Sequence, residues 1–161
     1  MHAIDIRPLT AAHLSSLMSV IDELGLFPSD MLDDMTAPFL TGTAPDDLWF
    51  VAMDGEVACA VAYCAPERMT DGTWNLFLIA VRENRQGQGV GARLTRHVER
   101  TLAERGARIL LVETSGLPAF ERARAVYRRL GFVEEARIRE FYAEAEDKVV
   151  FWKKLTDVAL P

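Results

Sequence analysis

The sequence predicts an α/β domain built on a mixed sheet, and three observations carry the prediction. Apolar runs of strand length alternate with runs of helical period, and a hairpin signal at Asp54-Gly55 joins two of the strands directly. A glycine-rich turn, Gln86-Gly87-Gln88-Gly89-Val90-Gly91, separates a strand-like run from a helix-like one. With 161 residues, 50% of them hydrophobic, the chain reads as one domain, residues 1–161. A chain of that size buries roughly 70% of its unfolded surface.

Ile4, Ile6 and Leu9 alternate as a first strand, and Thr10 stands where an N-cap belongs. A helix over residues 11–24 follows, with Leu14, Leu17, Val20, Ile21 and Leu24 on one face and Gly25 as its stop. Pro28-Ser29 turns the chain into a second helix, residues 30–40, ended by Gly42 and Pro45. Residues 48–53 and 56–64 are apolar strands joined through Asp54-Gly55, and residues 73–81 form the next strand. After the glycine-rich turn, Val90, Leu94, Val98 and Leu102 recur every four residues up to Gly106. Residues 109–112 are a short apolar strand ending before Glu113, and residues 118–130 a helix with Pro118 near its start and Gly131 just past its end. Strands over residues 133–141 and 148–155 complete seven strands and four helices.

Charge is divided more unevenly than the net −6 suggests. Residues 1–67 hold eleven acids and one base, whereas residues 82–129 hold eleven arginines, five acids and no lysine. Arginine grips phosphate bidentately, so the basic segment around the turn suits an anionic cofactor; exposed helix arginines would look the same. An acidic chain without a basic patch interleaved with aromatics argues against nucleic acid, and the lack of a long apolar run argues against a membrane. The N-terminal residues do not resemble a signal peptide, so a soluble cytoplasmic protein is expected. Cys59 and Cys64 read as core thiols, His2 as terminal, and His13 and His97 as helix-surface residues, leaving no metal site expected.

Three glycines at alternate positions expose main-chain N–H groups, and a helix starting there aims its positive end at the same spot. This is a phosphate cradle. A nucleotide-hydrolysing loop needs Gly-Lys-Ser/Thr, whereas Gly91 is followed by Ala92-Arg93. The dinucleotide fingerprint does fit residues 87–92, with Glu113 about 20 residues on, but the hairpin-linked strands before the turn speak against it.

Gln86, Gly89 and Gly91 meet the pattern Arg/Gln-x-x-Gly-x-Gly/Ala, and the segment 81–91 resembles the acyl-CoA-binding motif of the GNAT acetyltransferase superfamily. A second segment, with Tyr127 ahead of Gly131-Phe132, is similar to that family's late helix, although Phe120 stands where many members have asparagine. The opening Ile6-Arg7-Pro8-Leu9-Thr10 and the element order extend the resemblance over almost the whole chain. It implies a GNAT-like domain whose sheet is mostly antiparallel and splays between the fourth and fifth strands.

The resemblance implies an acetyl-CoA-dependent N-acetyltransferase that acts on a primary amine of a small molecule or peptide in a ternary complex. The N–H groups of Gly87, Gln88, Gly89, Val90, Gly91 and Ala92 would hold the pyrophosphate, and Ile79, Ala80 and Val81 would pair with the pantetheine arm. Arg124 or Arg128 would reach the adenosine phosphates. Spacing alone makes Tyr127 a core residue beside Phe120, Ala123 and Leu130; the resemblance makes it the acid that protonates the leaving thiolate. Glu113 is the candidate base, or else a hydrogen-bond partner of the backbone near Thr114-Ser115.

Acceptor-side regions in similar proteins correspond here to stretches holding Asp22, Glu23, Asp30, Asp33, Asp34, Glu144, Glu146 and Asp147. A cationic amine acceptor is expected from them, with Phe27, Trp74, Phe141 and Tyr142 as apolar walls; a solvated acidic surface is the plain alternative. Similar proteins are often dimers, which leaves a homodimer open. A non-catalytic acyl-CoA-binding domain and a nicotinamide-dependent enzyme are the rival readings.

Overall fold

The computed structural model describes residues 3–157; His2 lies outside them. In chain order the elements are β1 (Ile4–Pro8), α1 (Leu14–Leu24), α2 (Met31–Leu40), β2 (Leu48–Asp54), β3 (Val57–Pro66), β4 (Thr73–Val81), α3 (Val90–Glu104), β5 (Ile109–Ser115), α4 (Glu121–Arg129), β6 (Val133–Ala143) and β7 (Glu146–Lys154). The strands form one seven-stranded sheet in the order β1-β2-β3-β4-β5-β7-β6. Strands β1/β2, β2/β3, β5/β7 and β6/β7 pair antiparallel, and β4/β5 pair parallel. This is the mixed α/β sheet expected, and it rules out the parallel, doubly wound arrangement a dinucleotide fold requires. The β4/β5 ladder joins Thr73–Leu76 to Ile109–Val112, while both strands run on to Val81 and Ser115, so the sheet splays where the ladder ends.

Packing divides the described residues into two compact units. One comprises the chain up to Ala65 with Leu78–His97, the other Pro66–Phe77 with the chain from Val98 onward. In the first, α1 and α2 cover the sheet face that bears Trp49, Val51 and Met53, and Leu17, Val20, Ile21 and Leu32 are fully buried there. Phe50 points from the other face and meets His97 of α3 edge-on at 4.8 Å, so His97 packs on the sheet. In the second unit the β5/β7 register alternates strictly: Val112 opposes Phe151, Glu113 opposes Val150 and Ser115 opposes Lys148. Successive residues of a strand point to opposite faces, so Glu113, Ser115 and Lys148 share one face and Val112 and Phe151 the other.

Local departures from the expected boundaries have identifiable causes. Residues 11–13 form a 3-10 turn ahead of α1, closed by Thr10 N–H donating to His13 Nδ1 at 3.0 Å. Likewise a 3-10 turn over Pro118–Phe120 precedes α4. The β2/β3 hairpin turns one residue later than expected, through Gly55-Glu56, because Asp54 pairs with Val57 and Gly55 takes the left-handed conformation at φ 64°. A bulge follows at once: Ala52 pairs with Ala60 but Met53 with Ala58, which leaves Cys59 as the extra residue. Strand β5 runs to Ser115, so Glu113 lies inside a strand and does not end one. Pairing with β7 holds the polar Glu113-Thr114-Ser115 extended where the apolar pattern had stopped.

Candidate functional site

The glycine-rich turn of the first unit is shaped by its glycines and braced by its neighbours. Gly87 and Gly89 have φ of 74° and 81°, values a β-carbon disfavours. A Cβ built on Gly89 would meet no protein atom within 4 Å, so the space before that backbone is open. One on Gly91 would only touch Val81 Cγ2 at 3.6 Å. The first bond of the α3 ladder runs from Arg93 N–H to the Gly89 carbonyl at 3.0 Å, which leaves the N–H groups of Val90, Gly91 and Ala92 ahead of it at the helix N-terminus.

Side chains hold this turn from several directions. Gln86 Nε2 donates to the Val81 carbonyl at 2.9 Å, and Gln88 Nε2 to that of Asn84 at 3.0 Å. Arg85 donates through Nε to Asp54 Oδ2 at 2.8 Å and through Nη1 to Gln88 Oε1 at 3.0 Å. Glu23 of α1 accepts the Glu83 N–H at 2.9 Å, and the bulged Cys59 carbonyl accepts the Arg82 N–H at 2.8 Å. Arg93 donates to the Ile4 carbonyl at 2.8 Å. Arg82, Arg85 and Arg93 therefore spend hydrogen bonds on the protein itself, which the arginine-rich composition did not disclose. Of the strand residues before the turn, Ala80 is buried in the core under α1 and α2, while Ile79 and Val81 are half-buried. Burial pushes the Cys59 thiol up, with the Asp54 carboxylate adding to it, which keeps it an inert thiol.

In the second unit, α4 ends in a Schellman motif. Phe132 N–H donates to the Tyr127 carbonyl at 3.0 Å and Gly131 N–H to that of Arg128 at 3.1 Å, with Gly131 at φ 91°. The Tyr127 ring meets Phe132 at 5.9 Å and Phe151 at 5.5 Å, so the tyrosine-to-Gly-Phe spacing is the spacing of this cap and its apolar contact. Tyr127 is 5% exposed, and burial pushes its phenol above the ordinary 10.0. Its hydroxyl makes no hydrogen bond to protein among the described residues.

Arg124 is buried and donates through Nη1 to the carbonyls of Ser115 and Leu117 at 2.6 and 2.9 Å, and through Nη2 to Glu121 at 2.8 Å. It fastens the β5–α4 connection. Arg128 is more exposed, bridging Glu121 at 3.0 Å and Glu134 at 3.4 Å. Glu113 Oε2 lies 2.9 Å from Lys148 Nζ, and that ammonium sits 3.7 Å from the Phe141 ring centroid. Phe141 and Tyr142, both about half exposed, stack edge-to-face at 5.1 Å. Burial first, then the Glu113 and Glu146 charges, push the Tyr142 phenol up.

Residues 45–134, more than half of the chain, match the family described as acetyltransferase (GNAT) domain. The chain belongs to the GNAT acetyltransferase family. Among solved structures, a GNAT-family protein from Desulfovibrio desulfuricans is 26% identical with a TM-score of 0.86, over 95% of this chain and 99% of that one. The ribosomal-protein-S18-alanine N-acetyltransferase of Escherichia coli is 23% identical with a TM-score of 0.77, over 95% and 94% of the two chains. The Salmonella typhimurium protein yncA, solved with its cofactor acetyl-CoA, is 18% identical with a TM-score of 0.78, over 99% and 98%. No curated protein matches the chain significantly. Among the described residues no helix is long and apolar enough to cross a membrane.

Within this GNAT fold the candidate residues fall into two groups. The first unit carries the turn Gln86 to Ala92 and the end of β4, and Phe27 packs against its core. The second carries Tyr127 and Glu113, placed on opposite faces of the β5/β7 ladder, together with Arg124, Arg128, Trp74, Phe141 and Tyr142. Sequence reasoning passed over Lys148 and the Asp54–Arg85 brace. Lys148 did leave a signal: it is the first lysine in the chain, which otherwise has only Lys153 and Lys154.

Proposed function

We propose that this GNAT protein transfers the acetyl group of acetyl-CoA to a primary amine of a small molecule or peptide, by direct attack with both substrates bound. The observation that carries the reading is Tyr127, a buried phenol with its proton retained and its hydroxyl unspent on the protein. The open backbone at Gly89 and the leading N–H groups of α3 suit the pyrophosphate of the donor, as the family membership supports. Residues Ile79 to Val81 are assigned to the pantetheine arm, and the half-exposed Arg128 to the adenosine phosphates. Arg124, engaged with two carbonyls and Glu121, is assigned to positioning α4.

In this reaction the amine nitrogen forms the new C–N bond as the thioester C–S bond breaks. Glu113 takes the proton the nitrogen must lose, and Tyr127 delivers one to the sulfur. A thiol's ordinary pKa near 8.5 lies below that of the phenol, so Tyr127 remains a proton donor across the neutral range. The test is acetyl-CoA turnover on a panel of amines, followed as thiol release, with both substrates varied. Intersecting initial-rate lines are the expected result. Acetyl-CoA binding without turnover on any amine would favour a non-catalytic acyl-CoA-binding domain.

A further inference from the structure

We infer that the acceptor is a weakly basic amine taken up in its uncharged form, an α-amino group in preference to an alkylammonium side chain, and that Lys148 enforces the choice. The inference rests on the reading of Glu113 as the base. A carboxylate beside an acceptor nitrogen ordinarily serves as a counter-ion for an ammonium. Here that charge is already committed: Glu113 Oε2 is 2.9 Å from the ammonium of Lys148. The pair is fixed, because Lys148 is only 8% exposed and caps the Phe141 ring at 3.7 Å. Register holds it too, since Lys148 opposes Ser115 on the same face as Glu113, one diagonal step away.

Several neighbouring acids are themselves engaged. Asp147 is held by Arg137 at 3.1 Å and by the Glu140 N–H at 3.0 Å. Glu134 faces Arg128 and Arg137, and Glu140 accepts the Ala145 N–H. The Tyr142 phenol, which burial and then the Glu113 and Glu146 charges push up, is protonated at neutral pH. An incoming ammonium at Glu113 would therefore have to share that carboxylate with the Lys148 ammonium. Like charges close together favour the neutral form of the one free to lose its proton, and a neutral amine is the nucleophile the reaction needs.

The basicity of the acceptor then decides its rate. At pH 7.5 about a third of an α-amino group with pKa near 7.8 is neutral, against about one in a thousand for an alkylamine near 10.4, a difference of roughly 250-fold. Steering by the acidic N-terminal half can still bring cationic molecules near; the site selects the uncharged nitrogen.

Two acceptors discriminate: a dipeptide amide with a free α-amine, and Nα-acetyl-lysine amide with a free ε-amine. The wild-type protein is expected to prefer the first by about 100-fold or more in kcat/KM at pH 7.5, and its kcat/KM on the second to rise about tenfold per pH unit up to pH 9. Lys148→Met frees Glu113 to hold an ammonium, so the preference should shrink at least tenfold through a lower KM for the ε-amine. Lys148→Arg, which keeps the charge, should keep the preference. Comparable wild-type rates on the two acceptors at pH 7.5, or an unchanged ratio in a folded Lys148→Met protein, would overturn the inference while leaving acetyl transfer intact. Acetyl-CoA binding with no turnover on either amine, or on any other, would instead overturn the reading of the site beneath it.

Discussion

Replacing Tyr127 with phenylalanine separates the proposed acid role from the packing role, because the two fall on different atoms. The ring carries the contacts to Phe132 at 5.9 Å and Phe151 at 5.5 Å, and phenylalanine retains both. The hydroxyl has no protein partner among the described residues, so its loss leaves no buried group unsatisfied and should alter stability by less than about 0.5 kcal/mol. A change that small moves Tm by no more than about 2 °C in a chain of this length. Loss of a general acid, by contrast, lowers kcat by about 10² to 10⁴, or roughly 3 to 5 kcal/mol of barrier. Tyr127→Ala is the control for the ring: emptying its site should cost about 3 to 5 kcal/mol and lower Tm by roughly 10 °C. Thiol release at saturating acetyl-CoA gives kcat, and thermal unfolding gives stability. A Tyr127→Phe protein with kcat within about threefold of wild type refutes the acid role, and one that melts like the alanine variant refutes the partition of ring from hydroxyl.

Gly89→Ala should raise the KM for acetyl-CoA at least about tenfold and destabilise by about 1 to 2 kcal/mol, since the residue sits at φ 81° before open space; Gly91→Ala, whose Cβ only touches Val81, should change both little. Equal KM values for the two variants would contradict the cradle. Asp54→Asn loosens Arg85 and through it Gln88, so KM for acetyl-CoA should rise several-fold while kcat holds, and a fall in kcat alone would contradict the brace. Arg124→Met leaves the Ser115 and Leu117 carbonyls without their donor and should lower stability by about 2 to 4 kcal/mol, measured by denaturant unfolding; a change under about 0.5 kcal/mol would refute the clamp. Burial, with Arg7 adding to it, holds His13 below its ordinary 6.5, and its Nδ1 accepts the Thr10 N–H only when unprotonated. A folded value below the unfolded one means this contribution is present above about pH 6.5 and lost as pH falls through the folded value. Tm should therefore drop from pH 7 to pH 5 by more in the wild type than in His13→Ala, and equal drops would contradict it.

The element order was legible because breakers stand at nearly every junction: Gly25, Gly106 and Gly131 all adopt positive φ where helices end. The acyl-CoA motif and the Tyr127-to-Phe132 spacing were legible for a local reason, each being a single turn whose geometry is written in adjacent residues. What escaped was set by pairing across the sheet. The Cys59 bulge depends on how β3 meets β2, and the Glu113–Lys148 pair on how β7 meets β5. The destination of the arginines was equally hidden, since Arg85 reaches a carboxylate in a distant hairpin and Arg124 reaches two carbonyls. Composition counts charges, and only the fold says which of them are already spent.

The placement of Tyr127 and Glu113 depends on a parity that one residue would invert. Tyr127 rests on Phe151, and Phe151 opposes Val112, so Tyr127 lies on the face of β5 and β7 where even-numbered Val112 points. Glu113, one residue on, points to the other face, where Lys148 meets it. Slipping β7 by a single residue against β5 would set Lys148 beside Thr114 and turn its ammonium toward the face of Val149 and Phe151, away from Glu113, leaving a buried charge unpaired at a large penalty. The register is therefore secured by the same alternation that puts Tyr127 and Glu113 on opposite faces: apolar Phe151 packs against Tyr127 of α4, and Lys148 meets Glu113 on the other face. In the proposed transfer the nitrogen that loses a proton and the sulfur that gains one are different atoms on the same carbonyl carbon. A β-strand supplies opposed directions from adjacent residues without any further device, so under the proposed roles the base and the acid would reach those two atoms from the two faces of β5.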